Sequence, residues 1–170
     1  MGKKKSSPNP EDSMVSEASF SYGYSYPFNP ALLGARPLSS SVKPLFPNDP
    51  IGAIRLIKAG ISKSALDDLL IVTGLTSLEI ADYLHVSERT LRNYVPTTLL
   101  NPEMSERILE IAQLYERGSE VFGSLDSFKK YMDSNNLALG GQKPKAFLDT
   151  SVGIQYLLQE VGKIEHGVFA

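Results

Sequence analysis

The chain has 170 residues, a formal charge of −2, 42% hydrophobic residues and no cysteine. Disulfides and thiolate metal sites are therefore excluded, and no apolar run approaches the ~20 residues that span a bilayer. The chain as a whole is not a polycation, so any contact with nucleic acid must come from a local patch or from two copies acting together.

Two histidines, His85 and His166, lie far apart in sequence. That supply is too thin for a His-based zinc site, and neither a metal nor a cofactor is expected. The opening "MGKKKSSPNPEDS" has a basic cluster with no apolar stretch behind it, so it does not read as a secretory signal. A cytoplasmic protein with no membrane partner is expected. Charge is uneven: residues 1–48 carry 5 basic and 3 acidic groups, residues 49–95 carry 5 and 6, and residues 96–170 carry 7 and 10. The acidic last part suits a cationic protein partner better than a phosphate backbone.

Residues 1–48 read as a flexible Ser/Pro/Tyr-rich arm. Within it "SFSYGYSYPFNP" alternates small residues with Phe20, Tyr22, Tyr24, Tyr26 and Phe28, a period of two that suits an extended segment. It reads either as an unstructured arm or as one that docks on a partner or a second copy. Helix punctuation begins at Asp49, an N-cap before Pro50, and Gly60 stops that helix. Ser62 caps the next, with Leu66, Leu69, Leu70 and Thr73 on one face and Gly74 as its end. Thr76 and Glu79 form a capping box for a third helix with an apolar stripe of Ile80, Ala81 and Leu84. His85-Val86 makes a turn, Ser87 caps a fourth short helix, and Pro96 follows its end. The longest helix starts near Pro102 and buries Ile108, Ile111, Ala112 and Tyr115, with Gly118 and Gly123 as its bend or end. A short helix follows Ser124 or Asp126. "LALGGQKPKAFLD" reads as a loop, and Asp149 or Thr150 caps a last helix with Ile154, Leu157, Leu158 and Val161 on one side. No repeat and no β-rich domain are seen, so the fold is mainly α: an extended arm (1–48), a helix-turn-helix domain (49–110) and a C-terminal helical domain (111–170).

The stretch "SLEIADYLHVSERTLRNY" has what a helix-turn-helix needs: a small residue at the crossing (Ala81), apolar residues fixing the angle (Ile80, Leu84, Val86, Leu91), and a polar second helix. Ser87, Arg89, Thr90, Arg92 and Asn93 are its candidate DNA-binding residues. Arginine can grip guanine, asparagine can grip adenine, and hydroxyls can reach phosphate. Glu79, Asp82 and Glu88 oppose the two arginines, so one copy would hold DNA weakly and a homodimer is expected. The alternative for this stretch is a purely structural two-helix corner.

The stretch resembles the helix-turn-helix of the Xre-like regulators through Ile80-Ala81, the turn, Val86-Ser87 and Thr90-Leu91. It departs from them at His85, where many members have glycine. The second half, through "LNPEMSERILEIAQLYERGSEVFGS", "NNLALGG", "KPKAFLDTSVG" and "IEHGVFA", resembles the toxin-binding domain of the Xre-type antitoxins that pair with RES-domain toxins. The likeness runs from near Gly60 to the C-terminus, and Tyr131 stands where Trp is common. The resemblance implies an antitoxin of a type II system that binds a cognate RES-domain toxin, blocks its NAD-consuming active site, and binds operator DNA. Candidate toxin-binding residues are Leu137, Leu139, Gly140, Gly141, Lys143, His166, Val168 and Phe169. The leucines would enter an apolar seam, and the glycines would allow close backbone approach. The same loop could instead serve only as an internal helix–helix connection.

No Ser/His/Asp grouping and no phosphate loop is present, "LGGQKP" lacking the required spacing, so no catalytic activity is expected. The competing function is a helix-turn-helix repressor whose C-terminal half only dimerises.

Overall fold

The computed structural model describes residues 49–165. Seven α-helices follow in order: α1 (Pro50–Ala59), α2 (Lys63–Thr73), α3 (Ser77–Tyr83), α4 (Glu88–Asn93), α5 (Pro102–Val121), α6 (Leu125–Asp133) and α7 (Ser151–Glu165). Two 3-10 turns, Leu137–Leu139 and Pro144–Phe147, join α6 to α7. No β-strand occurs among the described residues, and the mainly α expectation holds.

The helix starts are chemical. Asp49, Ser62, Thr76, Ser87, Asn101 and Ser124 each accept a hydrogen bond from a first-turn backbone N–H. Thr76 and Glu79 complete a full capping box on α3. Of the two candidates before α7, Thr150 is the cap: its Oγ1 accepts from the Gly153 N–H at 3.1 Å. Gly74 ends α2 in the left-handed region.

The organising element is α5. It is the longest helix, and α1, α2, α6 and α7 all pack on it. Its buried face is Met104, Ile108, Leu109, Ile111, Ala112, Leu114 and Tyr115. These join Leu66 and Leu69 of α2, Ile80 of α3, Phe128 of α6 and Ile154, Leu157 and Val161 of α7 in one core. The helix runs unbroken through residues 110 and 111, where the sequence suggests a division between domains.

Gly118 does not end α5. A Cβ there would lie 2.4 Å from the Phe128 ring, so glycine makes room for an aromatic cluster. Phe128 meets Tyr115 edge-on at 5.3 Å and stacks with Tyr131 at 5.8 Å between ring centroids. The helix ends three residues later at Val121, and Gly123 then turns the chain at a φ of 74°.

Candidate functional site

Two surfaces carry the residues singled out above. The first is the α3–α4 corner. Ile80, Ala81 and Leu84 are buried against Leu91 of α4 and the core. His85 takes a φ of 54°, which costs a non-glycine residue about 1 kcal/mol. The turn is closed by two hydrogen bonds, His85 N–H to Asp82 O and Val86 N–H to Ala81 O, both at 3.0 Å. Ser87 Oγ accepts from the Thr90 N–H at 3.0 Å and lies 2.7 Å from the Thr90 hydroxyl. Both hydroxyls therefore serve the start of α4. Arg89 and Asn93 are exposed. Arg92 is exposed too, but its guanidinium donates to Glu88 at 2.6 Å. Glu88 thus holds one of the two cations of α4 in the free protein.

The second surface is the loop after α6. Asn136 organises it: its N–H donates to Gln142 O at 3.0 Å, its carbonyl accepts from the Gly141 N–H at 2.9 Å, and its side chain accepts from the Ala138 N–H at 2.9 Å. Gly140 and Gly141 have φ values of 67° and 78°, so the loop needs glycine for its shape. Among the described residues nothing approaches within 4 Å of where their side chains would be. Leu137 projects from this closed loop at 93% exposure, and Lys143 is exposed beside it. Leu139 corrects the sequence reading: at 5% exposure it belongs to the core cluster. One turn of 3-10 helix sends the two leucines opposite ways, so Leu137 alone is offered outward. His166, Val168 and Phe169 lie outside the described residues.

The two surfaces are tied together by a group the sequence did not flag. Lys145, in the second 3-10 turn, contacts Glu79 of α3 at 2.6 Å and Asp133 at the end of α6 at 2.5 Å. Glu79 also accepts from the Thr76 N–H at 2.9 Å, so one carboxylate both caps α3 and anchors it. A cleft of about 460 Å³ opens here, lined by Glu79, Asp82, Tyr83, Lys143, Lys145 and Asp149 among others. Burial pushes the Tyr83 phenol up to about 12. Among the described residues no group of three or more His, Asp or Glu is placed to hold a metal ion.

Two family models match adjoining parts of the chain. Residues 52–113 match the antitoxin Xre-like helix-turn-helix domain, and residues 117–167 match the antitoxin Xre/MbcA/ParS C-terminal toxin-binding domain. The chain belongs to the Xre-type antitoxins. It is 28% identical over 117 residues to the antitoxin Xre of Yersinia enterocolitica, covering 67% of this chain and 78% of that one. It is also similar to a chain of the M. tuberculosis MbcT–MbcA toxin–antitoxin complex, with 25% identity, a TM-score of 0.48, and coverage of 64% of this chain and 96% of that chain.

In this antitoxin the α3–α4 corner thus falls in the helix-turn-helix match and the Leu137 loop in the toxin-binding match, with Lys145 bridging them. Burial alone raises the Glu79 carboxyl, but hydrogen bonds from Lys145 and Thr76 outweigh it and hold it below 4.5. Hydrogen bonds to Asp133 and Glu79 raise the Lys145 ammonium. The Glu79 contribution is therefore present above its ordinary value and lost as pH falls through its lowered one. The Lys145 contribution is present below its ordinary value and persists until strong alkali. Lys145→Met is expected to cost about 1 kcal/mol at pH 7, in the range of a partly exposed ion-pair network. The difference from the parent protein should shrink as pH falls through the lowered value of the Glu79 carboxyl. Paired urea titrations at pH 7 and in mild acid measure it, and a gap that widens in acid contradicts the clamp.

Proposed function

We propose that this antitoxin neutralises a RES-domain, NAD-consuming toxin by binding across its active site, and that α4 binds the operator of its own operon. The observation that carries the toxin part is Leu137. A large apolar side chain stands almost fully in solvent on a loop fixed at both ends, within the toxin-binding match. An exposed apolar anchor on a preorganised loop suits a pocket on a protein partner, because little entropy is lost on docking. The sequence likeness of Leu100–Ser124, Asn135–Gly141 and Lys143–Gly153 to antitoxins of RES-domain toxins supports the identity of that partner. In this reading the antitoxin works in the cytoplasm as a binding protein, and the chemistry belongs to the toxin.

The test is co-expression with the neighbouring open reading frame, then an NAD-consumption assay with and without this protein. The expected result is a stable complex whose partner consumes NAD only when freed. No complex and no effect on NAD would leave the helix-turn-helix repressor as the better reading.

The DNA part rests on Arg89 and Arg92. Their exposure supports it, and the Glu88–Arg92 pair is an exposed i,i+4 contact that a phosphate or base edge can outcompete. Arg89→Ala with Arg92→Ala is expected to weaken promoter binding by at least about tenfold. Neutralisation should be untouched, since neither side chain touches the Leu137 loop. An unchanged promoter affinity in a gel-shift titration would remove α4 from the reading role.

A further inference from the structure

The cleft between α3 and the second 3-10 turn holds a polar group with nothing to bond. Its inner wall is Glu79, Tyr83, Lys145 and Asp149, all buried or half-buried. Its rim includes Asp82, Lys143 and Ala146, all exposed. Tyr83 is only 6% exposed, yet among the described residues its hydroxyl has no hydrogen-bond partner. A phenol set this deep ordinarily finds one. With its pKa pushed up to about 12, the group stays a neutral hydroxyl that accepts as well as donates.

The charges beside it are unevenly spent. Lys145 is divided between Glu79 and Asp133, and Glu79 also caps α3. Among the described residues Asp82, Asp149 and Lys143 enter no ion pair. Two free carboxylates thus stand against one free ammonium, and that ammonium is on the rim, on a flexible four-carbon stem that can swing into solvent. Such a cleft suits a positive guest with hydrogen-bond donors. A bare metal ion does not qualify, since no described group of three or more His, Asp or Glu is placed to hold one. An anion would meet the two free carboxylates.

We propose that this cleft binds a guanidinium group, the head of an arginine side chain on the toxin, with Asp82 and Asp149 as its counter-charges and the Tyr83 hydroxyl as a further acceptor. The identity of the donor rests on the toxin-binding reading above; the guanidinium chemistry does not. The acceptors come from two elements, α3 and the segment leading into α7. A guanidinium carries five N–H donors in a flat fork and is weakly hydrated, so it can answer acceptors on both. A lysine ammonium is a compact point charge that holds its water tightly and cannot bridge separated acceptors in that way. The apolar stem of the arginine has the Ala146 methyl and the Tyr83 ring to lie along. The acidic surplus of residues 96–170, 10 groups against 7, favours a cationic partner on approach.

The probe is N-acetyl-arginine amide, titrated into the full chain without toxin and followed by backbone amide NMR shifts. Saturable shifts at Tyr83, Gln142 and Ala146 are expected, with a dissociation constant on the order of millimolar for a single small ion contact. N-acetyl-lysine amide should bind several-fold more weakly. Asp82→Asn with Asp149→Asn should weaken the arginine probe by at least about tenfold, since both counter-charges are lost. Tyr83→Phe should weaken it by about threefold and leave the unfolding midpoint unchanged or higher, because the hydroxyl has no internal partner to lose. A lowered midpoint in Tyr83→Phe overturns the role given to that hydroxyl. No saturable shift, an equal response to the lysine derivative, or indifference to the double substitution overturns the inference. In a second arm the same double variant, its fold checked by thermal unfolding, is titrated with purified toxin, and a loss of about tenfold is expected. Unchanged toxin affinity, with the probe still bound by the parent chain, overturns the toxin as the donor. A parent chain that binds the probe and no toxin overturns the function proposed above and leaves the guanidinium site standing.

Discussion

Gly153→Ala is expected to destabilise the antitoxin by about 2–3 kcal/mol, the range of an overpacked site that cannot relax cheaply. A Cβ at this position would lie 2.1 Å from the Phe147 carbonyl oxygen and 2.9 Å from Thr150 Oγ1. The first is backbone of the turn Pro144–Phe147, which cannot swing aside as a side-chain tip can. The second is the hydroxyl that caps α7. Relief requires α7 to lift off the turn, and that would uncover Ile154 and Leu157, both fully buried. Gly162 on the same helix is the control, since a Cβ there meets nothing within 4 Å among the described residues. Gly162→Ala should be stabilising by about 0.5–1 kcal/mol, the helix-propensity gain alone. Thermal or urea unfolding of the two variants checks both. If Gly153→Ala unfolds with the parent protein, α7 does not pack on the turn as described.

Leu137→Asp is expected to weaken toxin binding by about 10–100-fold while leaving the unfolding midpoint unchanged. Its side chain is 93% exposed, so the substitution removes almost no internal packing. A carboxylate carried into an apolar pocket keeps its desolvation cost and finds no partner there, which is worth at least one to two factors of ten. Leu137→Ala should show a smaller loss, since it only shortens the anchor. Leu139→Asp separates the two roles of the loop. That residue is in the core, so its replacement should lower stability first and affect the toxin only through the collapsed loop. Titration of purified toxin with each variant, beside its unfolding curve, gives the comparison. Equal toxin affinity for Leu137→Asp and the parent chain would move the contact elsewhere on the C-terminal domain.

Much of the fold is legible in the sequence because helix starts are local. Asp49, Ser62, Thr76 with Glu79, and Ser87 cap as their positions suggest, since a cap depends only on the next three residues. The turn at His85 is legible for the same reason. Tertiary packing is less so. Gly118 looks like a helix breaker in sequence, and only the arrival of Phe128 from α6 shows it to be a seat for a ring. Leu137 and Leu139 look alike because a 3-10 turn of three residues has no periodicity from which to tell inside from outside. Lys145, Glu79 and Asp133 are separated by 12 to 66 positions, and nothing local joins them. The sequence therefore gave no sign of a clamp between the two surfaces.

The helix α5 has a consequence for how this antitoxin can come apart. It is the common spine of both matched parts, and the joint between the two matches falls inside it. A cut there would split the greasy centre of both halves and not a tether between them. Fragments made at residue 110 would each keep an open flank and would have to reassociate to regain shape. Heating should accordingly melt residues 49–165 in one step, with no stage at which the α3–α4 corner outlives the Leu137 loop. The two matched parts share one fate: both are lost together when the chain unfolds, and a recombination event cannot exchange one while keeping the other intact.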